Sequence, residues 1–153
     1  MDPQIEKLLD RIGVKILSAL QKNARTPLSR IGETVGLSAP AVAERVKKME
    51  EAGVITGYHA HINPQAMGWP ISAFIYLTTT PRHYTAVKKL ASDLNQVVAC
   101  HHVSGEASFV LHIRVADLPE LEMLIDRLGP WGQTQTSIVL STPIDKTWNL
   151  PLP

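Results

Sequence analysis

The sequence lacks several features that would direct its interpretation elsewhere. It contains one cysteine, Cys100, so an intrachain disulfide is excluded and nothing indicates secretion. It has no apolar run of the roughly 18 to 20 residues that a membrane-spanning helix needs. Its N-terminal stretch is charged throughout, which is not typical of a signal peptide. These absences predict a cytoplasmic protein that has no membrane partner.

A strong net charge is also missing. The formal charge of the 153 residues is +1, with nine Lys and Arg against seven Asp and Glu up to Gly57 and six against seven after it. A monomer this neutral would bind DNA weakly, because phosphate contacts supply much of the affinity. If the chain binds DNA, its charge balance favours a multimer that presents several DNA-binding heads at once. Hydrophobic residues make up 44% of the chain, which is enough for a packed core.

The most informative pattern that is present spans residues 26–58. Thr26 is predicted to cap a short helix that ends at Gly36, a residue that tolerates a positive φ. Ser38 is predicted to cap a second helix that ends at Gly53. The run 54–62 predicts a strand, a turn and a second strand. This order is typical of a winged helix-turn-helix, which places its second helix in the DNA major groove.

The second helix carries two stripes at helical spacing. Val42, Val46 and Met49 predict its core-facing side. The neighbouring stripe is small near its start and basic further along, a pattern that suits close approach to bases and then to phosphates. The predicted DNA-binding residues are Arg25, Ser38, Pro40, Ala41, Arg45 and Lys48. The sequence leaves open whether Arg45 and Lys48 would contact bases or phosphates, and a solvated charged face or a protein–protein module remains the alternative.

The chain divides into an α+β arrangement of two domains. Residues 1–62 are predicted to form the winged helix-turn-helix, whose first amphipathic helix runs over residues 4–22 and is weakened by Gly13 by about 1 kcal/mol relative to Ala. Residues 63–70 contain two prolines and a glycine and predict a hinge. Residues 71–143 read as β-α-β-β-α-β, the ferredoxin-like order, and residues 144–153 as a C-terminal tail.

Right-handed crossovers place both helices of that order on one face of the sheet. The strands carry apolar residues on both faces. In the first strand Phe74 and Tyr76 alternate with Ile71, Ala73, Ile75 and Leu77, and in the third Val110 alternates with Phe109, Leu111, Ile113 and Val115. The helix-free face is therefore predicted to be buried against a second subunit, giving a homodimer.

Metal and catalytic sites are not predicted. Cys100, His101 and His102 are consecutive on a strand, so their side chains point to alternate faces and cannot easily share one tetrahedral zinc. The sequence shows no phosphate-cradling loop and no nucleophile with an adjacent base, so no cofactor and no catalytic residue is assigned.

With this order established, the chain resembles the leucine-responsive/asparagine-responsive (Lrp/AsnC, "feast/famine") family of regulators. The matching segments are LLDRIGVKILSALQKNAR, GLSAPAVAERVKKMEEAGVITGYHAHINPQAMG, VSGEASFVLHIRV and TQTSIVLS. The resemblance implies a DNA-binding head joined to a dimerising, effector-binding ferredoxin-like domain. It also implies that dimers assemble into tetramers or octamers on double-stranded DNA, and that amino acids bind between dimers near the turn after the second strand.

One departure from the family bears on the effector. The family's Gly-(Asp/Glu)-x-Asp turn is here Gly105-Glu106-Ala107-Ser108, so a hydroxyl stands where a carboxylate could pair with an α-ammonium group. The effector-binding residues that the resemblance implies are Ser104, Gly105, Glu106, Ser108, Thr134 and Thr136. Binding of an amino acid, of another effector, or of none all remain open. The alternatives to a DNA-binding regulator are an amino-acid sensor that regulates a partner protein and a ferredoxin-like enzyme.

Overall fold

The computed structural model describes residues 3–144, which fall into two compact units that divide between Ala60 and His61. The first unit contains the helices α1 (Pro3–Leu8), α2 (Arg11–Lys22), α3 (Leu28–Val35) and α4 (Ala39–Glu51). The second contains β1 (Ile71–Thr78), α5 (Tyr84–Asp93), β2 (Val97–His102), β3 (Phe109–Val115), α6 (Leu118–Leu128) and β4 (Gln133–Ile138). Apart from Ile144, the predicted C-terminal tail lies outside the described residues. None of the helices in the described part is long and apolar enough to span a bilayer.

The single helix predicted over residues 4–22 is wrong, because the chain breaks between α1 and α2. Asp10 adopts an extended conformation there and accepts a hydrogen bond from the N–H of Gly13 at 2.7 Å, which caps α2. Gly13, the third residue of α2, packs against this break. A Cβ at Gly13 would lie 1.8 Å from the carbonyl oxygen of Leu8. The expected gain from alanine at position 13 is therefore overturned, since the close approach of α1 requires glycine.

The helix-turn-helix of α3 and α4 is confirmed, with one change at its start. The predicted cap Thr26 instead donates from its hydroxyl to the carbonyl of Asn23 at 2.7 Å, and α3 begins after Pro27. Gly36 ends α3 with a φ of 74°, and Ser38 accepts from the N–H of Ala41 at 3.4 Å to cap α4. The core of this unit joins three helices and includes Ile16, Leu20, Ile31, Val42 and Val46.

The β-hairpin predicted over residues 54–62 is wrong, since the structure has no strand there. The N–H groups of Val54 and Ile55 both donate to the carbonyl of Met49, at 2.8 and 3.1 Å. Further on, the Tyr58 hydroxyl donates to a carboxylate oxygen of Glu50 at 2.7 Å. The segment is thus held against the end of α4, and its alternating residues have no neighbouring strand to pair with.

The second unit is a four-stranded antiparallel sheet in the order β2-β3-β1-β4, as the ferredoxin-like prediction requires. Its core is formed by one face of β1 and β3 together with α5 and α6, so both helices cover the same face. Asp117 caps α6 by accepting from the N–H of Glu120 at 2.8 Å, as its spacing predicts. The second, third and fourth strands are shorter than the segments 97–104, 107–115 and 133–142 that the sequence pattern predicts, and β2 has an irregularity between Val97 and Ala99.

Candidate nucleic-acid interface and effector turn

The start of α4 is made of small residues that are exposed or half-buried, as a helix that approaches bases closely requires. Ser38 and Pro40 are exposed, while Ala41 is half-buried. On the opposite side Val42, Val46 and Met49 are buried in the core. The Ser38 side chain satisfies the N–H of Ala41, and Pro40 has no N–H, which leaves the N–H of Ala39 at the helix start, where a phosphate is favoured.

The basic residues of α4 all have carboxylate partners. Lys48 lies 3.3 Å from Glu44, and Lys47 lies 3.7 Å from Glu51, each pair one turn apart on the same exposed helix surface. Exposed pairs of this kind contribute about 0 to 1 kcal/mol, so a phosphate can displace the carboxylate at little cost. Sequence reasoning missed Lys47, although its charge and its place on the exposed side of α4 were visible.

Arg45 is held differently, because it reaches across to α2. Its Nη1 and Nη2 atoms donate to the two carboxylate oxygens of Asp10 at 2.9 and 3.0 Å. The guanidinium hydrogen bonds hold the pKa of Asp10 below its usual value, against a smaller opposing effect of burial. Sequence reasoning missed Asp10. Its only local signal was that of an N-cap three residues before a glycine.

Arg25 lies in the connection between α2 and α3. Its side chain is exposed, and its guanidinium has no ion-pair partner within residues 3–144. The backbone is fixed beside it, since the N–H of Arg25 donates to the Asn23 side chain at 3.0 Å. This arrangement leaves the cation available to an external anion.

The segment after α4 forms no hairpin, and its exposed aromatic side chain is Tyr58. Burial, followed by the hydrogen bond to Glu50, raises the pKa of Tyr58 to about 12. The hydroxyl therefore stays protonated and keeps donating to Glu50 under physiological conditions.

The predicted effector turn connects β2 to β3, and its residues are not equally accessible. Ser104, Gly105 and Glu106 are exposed, and Gly105 has a φ of 116°. Ser108 is half-buried, and its hydroxyl donates to the carbonyl of Thr79 at 2.9 Å while accepting from the N–H of Thr79 at 3.1 Å. The hydroxyl hydrogen of Ser108 is therefore already used in a hydrogen bond within the protein.

The two predicted threonines of β4 lie on the helix-covered face of the sheet. Thr134 pairs with Leu77, and Thr136 pairs with Ile75, both of which are buried under the helices. Thr134 is at the same end of the sheet as the turn, whereas Thr136 lies two residues further along β4. Across the sheet, β3 and β1 separate β2 from β4. The structure therefore brings Thr134 and the turn to one end of the sheet.

The helix-free face of the sheet carries the second set of alternating residues. Phe74, Tyr76, Val110, His112 and Arg114 lie on this face and are each partly exposed. The imidazole of His112 stacks on the ring of Phe74 at 4.8 Å, and its Nε2 is joined by a hydrogen bond to the Ser72 hydroxyl at 2.9 Å. Burial, followed by the charges of Arg114 and His101, lowers the pKa of His112.

The Cys-His-His run is divided between the two faces. Cys100 pairs with Leu111 on the helix-covered face, whereas His101 pairs with Val110 on the other. Cys100 and His102 border a cavity of about 350 Å³ beside Lys88, and burial raises the pKa of the Cys100 thiol. No group of three or more metal-ligating side chains occurs within the residues that the structure describes.

Comparisons with known proteins cover both units. A family model described as an AsnC-type helix-turn-helix domain matches residues 9–50, and one described as an Lrp/AsnC ligand binding domain matches residues 72–149. The regulator LrpA of Mycobacterium tuberculosis is 36% identical over 146 residues, which are 94% of this chain and 95% of that protein. The leucine-responsive regulatory protein of Haemophilus influenzae is 33% identical over 147 residues, 92% of this chain and 89% of that protein.

A solved structure extends the similarity to the arrangement of the backbone. It is a feast or famine regulatory protein from M. tuberculosis complexed with L-methionine, 34% identical to this chain. The match covers 94% of this chain and 99% of that one, with a TM-score of 0.82. The similarity therefore reaches well beyond the helix-turn-helix.

Proposed function

The chain belongs to the Lrp/AsnC family of helix-turn-helix transcriptional regulators, and from that premise we propose that it acts as a multimer on double-stranded DNA, controlled by an amino acid. The single observation that supports DNA binding most strongly is the exposed start of α4, which is held rigidly over a core built by three helices. The members of this family that match the chain are transcriptional regulators and not enzymes.

The proposed DNA-binding surface contains Arg25, Ser38, Pro40, Ala41 and Lys48, and we add Lys47 to it. Ser38 and Pro40 approach the bases or the backbone at the start of α4, and the small Ala41 allows that approach. Lys47 and Lys48 exchange their carboxylate partners for phosphates.

A gel-shift assay at two salt concentrations tests this surface. The variants Arg25→Gln and Lys48→Gln each remove one cation, so each should reduce the slope of log affinity against log salt by about one phosphate contact. Lys89→Gln, an exposed change of the same kind on α5, is the matched control and should leave affinity and slope as in the wild type. Binding that is absent at low salt, or unaffected by the two variants, contradicts the proposal. Absence of binding would also favour the alternative of a sensor that regulates a partner protein.

A homodimer formed through the helix-free face of the sheet is the second part of the proposal. The partly exposed Phe74, Tyr76 and Val110 offer apolar area there that the chain's own helices do not cover. Two or four dimers would then combine into a tetramer or an octamer, which offsets the weak charge of a single head by multivalency. A monomer mass by light scattering at micromolar concentration would exclude this assembly.

An amino-acid effector is the third part of the proposal, supported by the relative that was solved with L-methionine. The turn supplies one carboxylate, Glu106, because the Ser108 hydroxyl is already bonded to Thr79. We therefore assign the contact with an α-ammonium group to Glu106, with Ser104, Gly105, Thr134 and Thr136 completing the proposed site. Calorimetric titration with each of the twenty amino acids tests this, and heat from none of them would reject it.

A cytoplasmic location completes the proposal, since a regulator must reach the DNA that it controls. Fractionation of cells that express the full chain, with detection in the soluble and membrane fractions, tests it.

A further inference from the structure

We infer that Arg45 is a positioning residue and not a DNA-contacting one: with Asp10 it fixes the orientation of the recognition helix α4 on the rest of the head. This inference rests on the proposed DNA binding and assigns a different role to one residue that the sequence places in the interface. It also gives Asp10, which no sequence pattern singled out, a part in DNA recognition.

The first observation is the geometry of the pair. Both terminal nitrogens of Arg45 donate to Asp10, one to each carboxylate oxygen, at 2.9 and 3.0 Å. A two-pronged contact of this kind fixes the direction of the guanidinium as well as its distance. Among the cations of α4, Lys47 and Lys48 pair within their own helix, whereas Arg45 reaches residues that precede α2.

The second observation is that Asp10 is itself immobilised. The oxygen that receives Nη1 of Arg45 also accepts from the N–H of Gly13 at 2.7 Å. A Cβ at Gly13 would lie 1.8 Å from the Leu8 carbonyl oxygen and 3.0 Å from the Cε of Met49. The connection between α1 and α2 thus contacts α4 twice. Gly13 packs close to Met49, and Asp10 forms an ion pair with Arg45.

The third observation is electrostatic. Asp10 carries a carboxylate beside Arg45, and the side chains of the two residues are 41% and 30% exposed. A phosphate that approached the Arg45 guanidinium would meet the Asp10 carboxylate as well, and both terminal nitrogens already donate to it. Because both terminal nitrogens of Arg45 are already bonded to Asp10, the pair is a poor phosphate site and instead connects the start of α2 to α4.

Removal of the acid separates the two roles by the sign of the effect. If Arg45 contacts DNA, Asp10→Asn frees the cation and deletes a repelling anion, so affinity rises. If the pair positions α4, Asp10→Asn lets the helix shift, so affinity falls although a negative charge has been removed. Asparagine keeps a side-chain oxygen that can still accept from the N–H of Gly13, so the helix cap is retained.

The experiment uses the full chain and the tightest duplex selected from a random pool, with affinity measured by fluorescence anisotropy across a salt series. We expect Asp10→Asn and Arg45→Gln each to weaken binding by about three- to tenfold, and the double variant to be no weaker than either single one, as for residues that act as a pair. The salt slope should stay at the wild-type value for all three. Tighter or unchanged binding by Asp10→Asn, or a slope reduced by one contact in Arg45→Gln, overturns the inference.

Two further measurements separate positioning from a loss of folding. Arg45→Lys keeps the positive charge and loses the two-pronged contact, so we expect it to weaken binding with the wild-type slope, whereas a simple phosphate contact would survive the change. All affinities are taken at least 20 °C below each variant's melting temperature, where a purely structural role leaves affinity unchanged. A wild-type chain that binds no duplex rejects the proposed function itself; normal wild-type binding with tighter Asp10→Asn rejects only the role of the pair.

Discussion

The hydroxyl of Ser108 and the backbone of Thr79 form a closed pair of hydrogen bonds, in which the hydroxyl donates to the carbonyl and accepts from the N–H of the same residue. Backbone bonds support this junction, since the N–H of Ser108 donates to the carbonyl of Leu77 at 2.9 Å. The end of β1 and the start of β3 are thereby joined beside the proposed effector turn. The side chain of Ser108, a predicted effector-binding residue, thus joins these two strand ends.

Replacement of that hydroxyl should be costly. Ser108→Ala leaves a half-buried N–H and carbonyl of Thr79 without their partner, so we expect the free energy of unfolding to fall by about 1 to 2 kcal/mol. Urea denaturation measures it. Ser104→Ala, an exposed change in the same turn, should alter stability by less than about 0.5 kcal/mol. If Ser108→Ala and Ser104→Ala lost equal free energies of unfolding, the hydrogen bonds between Ser108 and Thr79 would not contribute to stability as expected.

Gly13 should not tolerate a methyl group. Its Cβ would overlap the Leu8 carbonyl, so Gly13→Ala should lower the free energy of unfolding by about 2 kcal/mol or more, despite the usual preference of helices for alanine. Ser29→Ala, an exposed change within α3, is the control and should alter stability by less than about 0.5 kcal/mol. Thermal unfolding of the two variants should differ by several degrees, and parallel shifts would contradict the close approach of α1.

Acid should destabilise the protein through His112. The pKa of this histidine is lowered in the folded state from an ordinary value of 6.5, so the unfolded chain binds a proton first as the pH falls. The contribution of His112 is complete above about pH 6.5 and decreases below it until the folded state is protonated as well. His112→Gln removes this dependence, and the other histidines cancel in the comparison.

The measurement is urea denaturation of both proteins at several values between pH 5 and 8. The stability difference between wild type and His112→Gln should diminish toward the acid end. Asp10 does not interfere, because its lowered pKa affects stability only below its ordinary value of 3.8. A difference that is constant with pH would show that burial does not hold His112 neutral.

Assembly should depend on the helix-free face of the sheet. Tyr76→Glu places a carboxylate at the centre of that face and should reduce the mass in solution to that of a monomer, since an unpaired charge buried between subunits is strongly unfavourable. Met123→Glu is the control: Met123 is 61% exposed on α6, which covers the other face. Dissociation by Met123→Glu and not by Tyr76→Glu would place the interface on the helical side.

The sequence determined the parts of this fold that depend on local periodicity. Val42, Val46 and Met49 are buried as their spacing predicts, and Gly36 and Ser38 mark the turn between α3 and α4. The order of the strands and the common face of α5 and α6 follow from the alternation and from the handedness of crossovers.

The errors arise where distant residues decide the local structure. Residues 4–22 are amphipathic throughout, so no periodic signal marks the break at Asp10, whose carboxylate pairs with Arg45, 35 residues further along the chain. Residues 54–62 alternate like a hairpin, but Tyr58 is bound to Glu50 and Val54 to Met49. The assignment of Arg45 to the DNA-binding surface stays a prediction, and its contact with Asp10 is what supports the positioning role inferred above.

The lysines of α4 are neutralised by carboxylates of the same helix. Glu44 and Glu51 occupy the ammonium groups of Lys48 and Lys47 before any DNA arrives, and α4 as a whole carries three acidic and three basic side chains. Each phosphate contact proposed for Lys47 and Lys48 would therefore exchange one anion for another. Glu44→Gln would remove that competition, so we expect it to change the overall strength of binding.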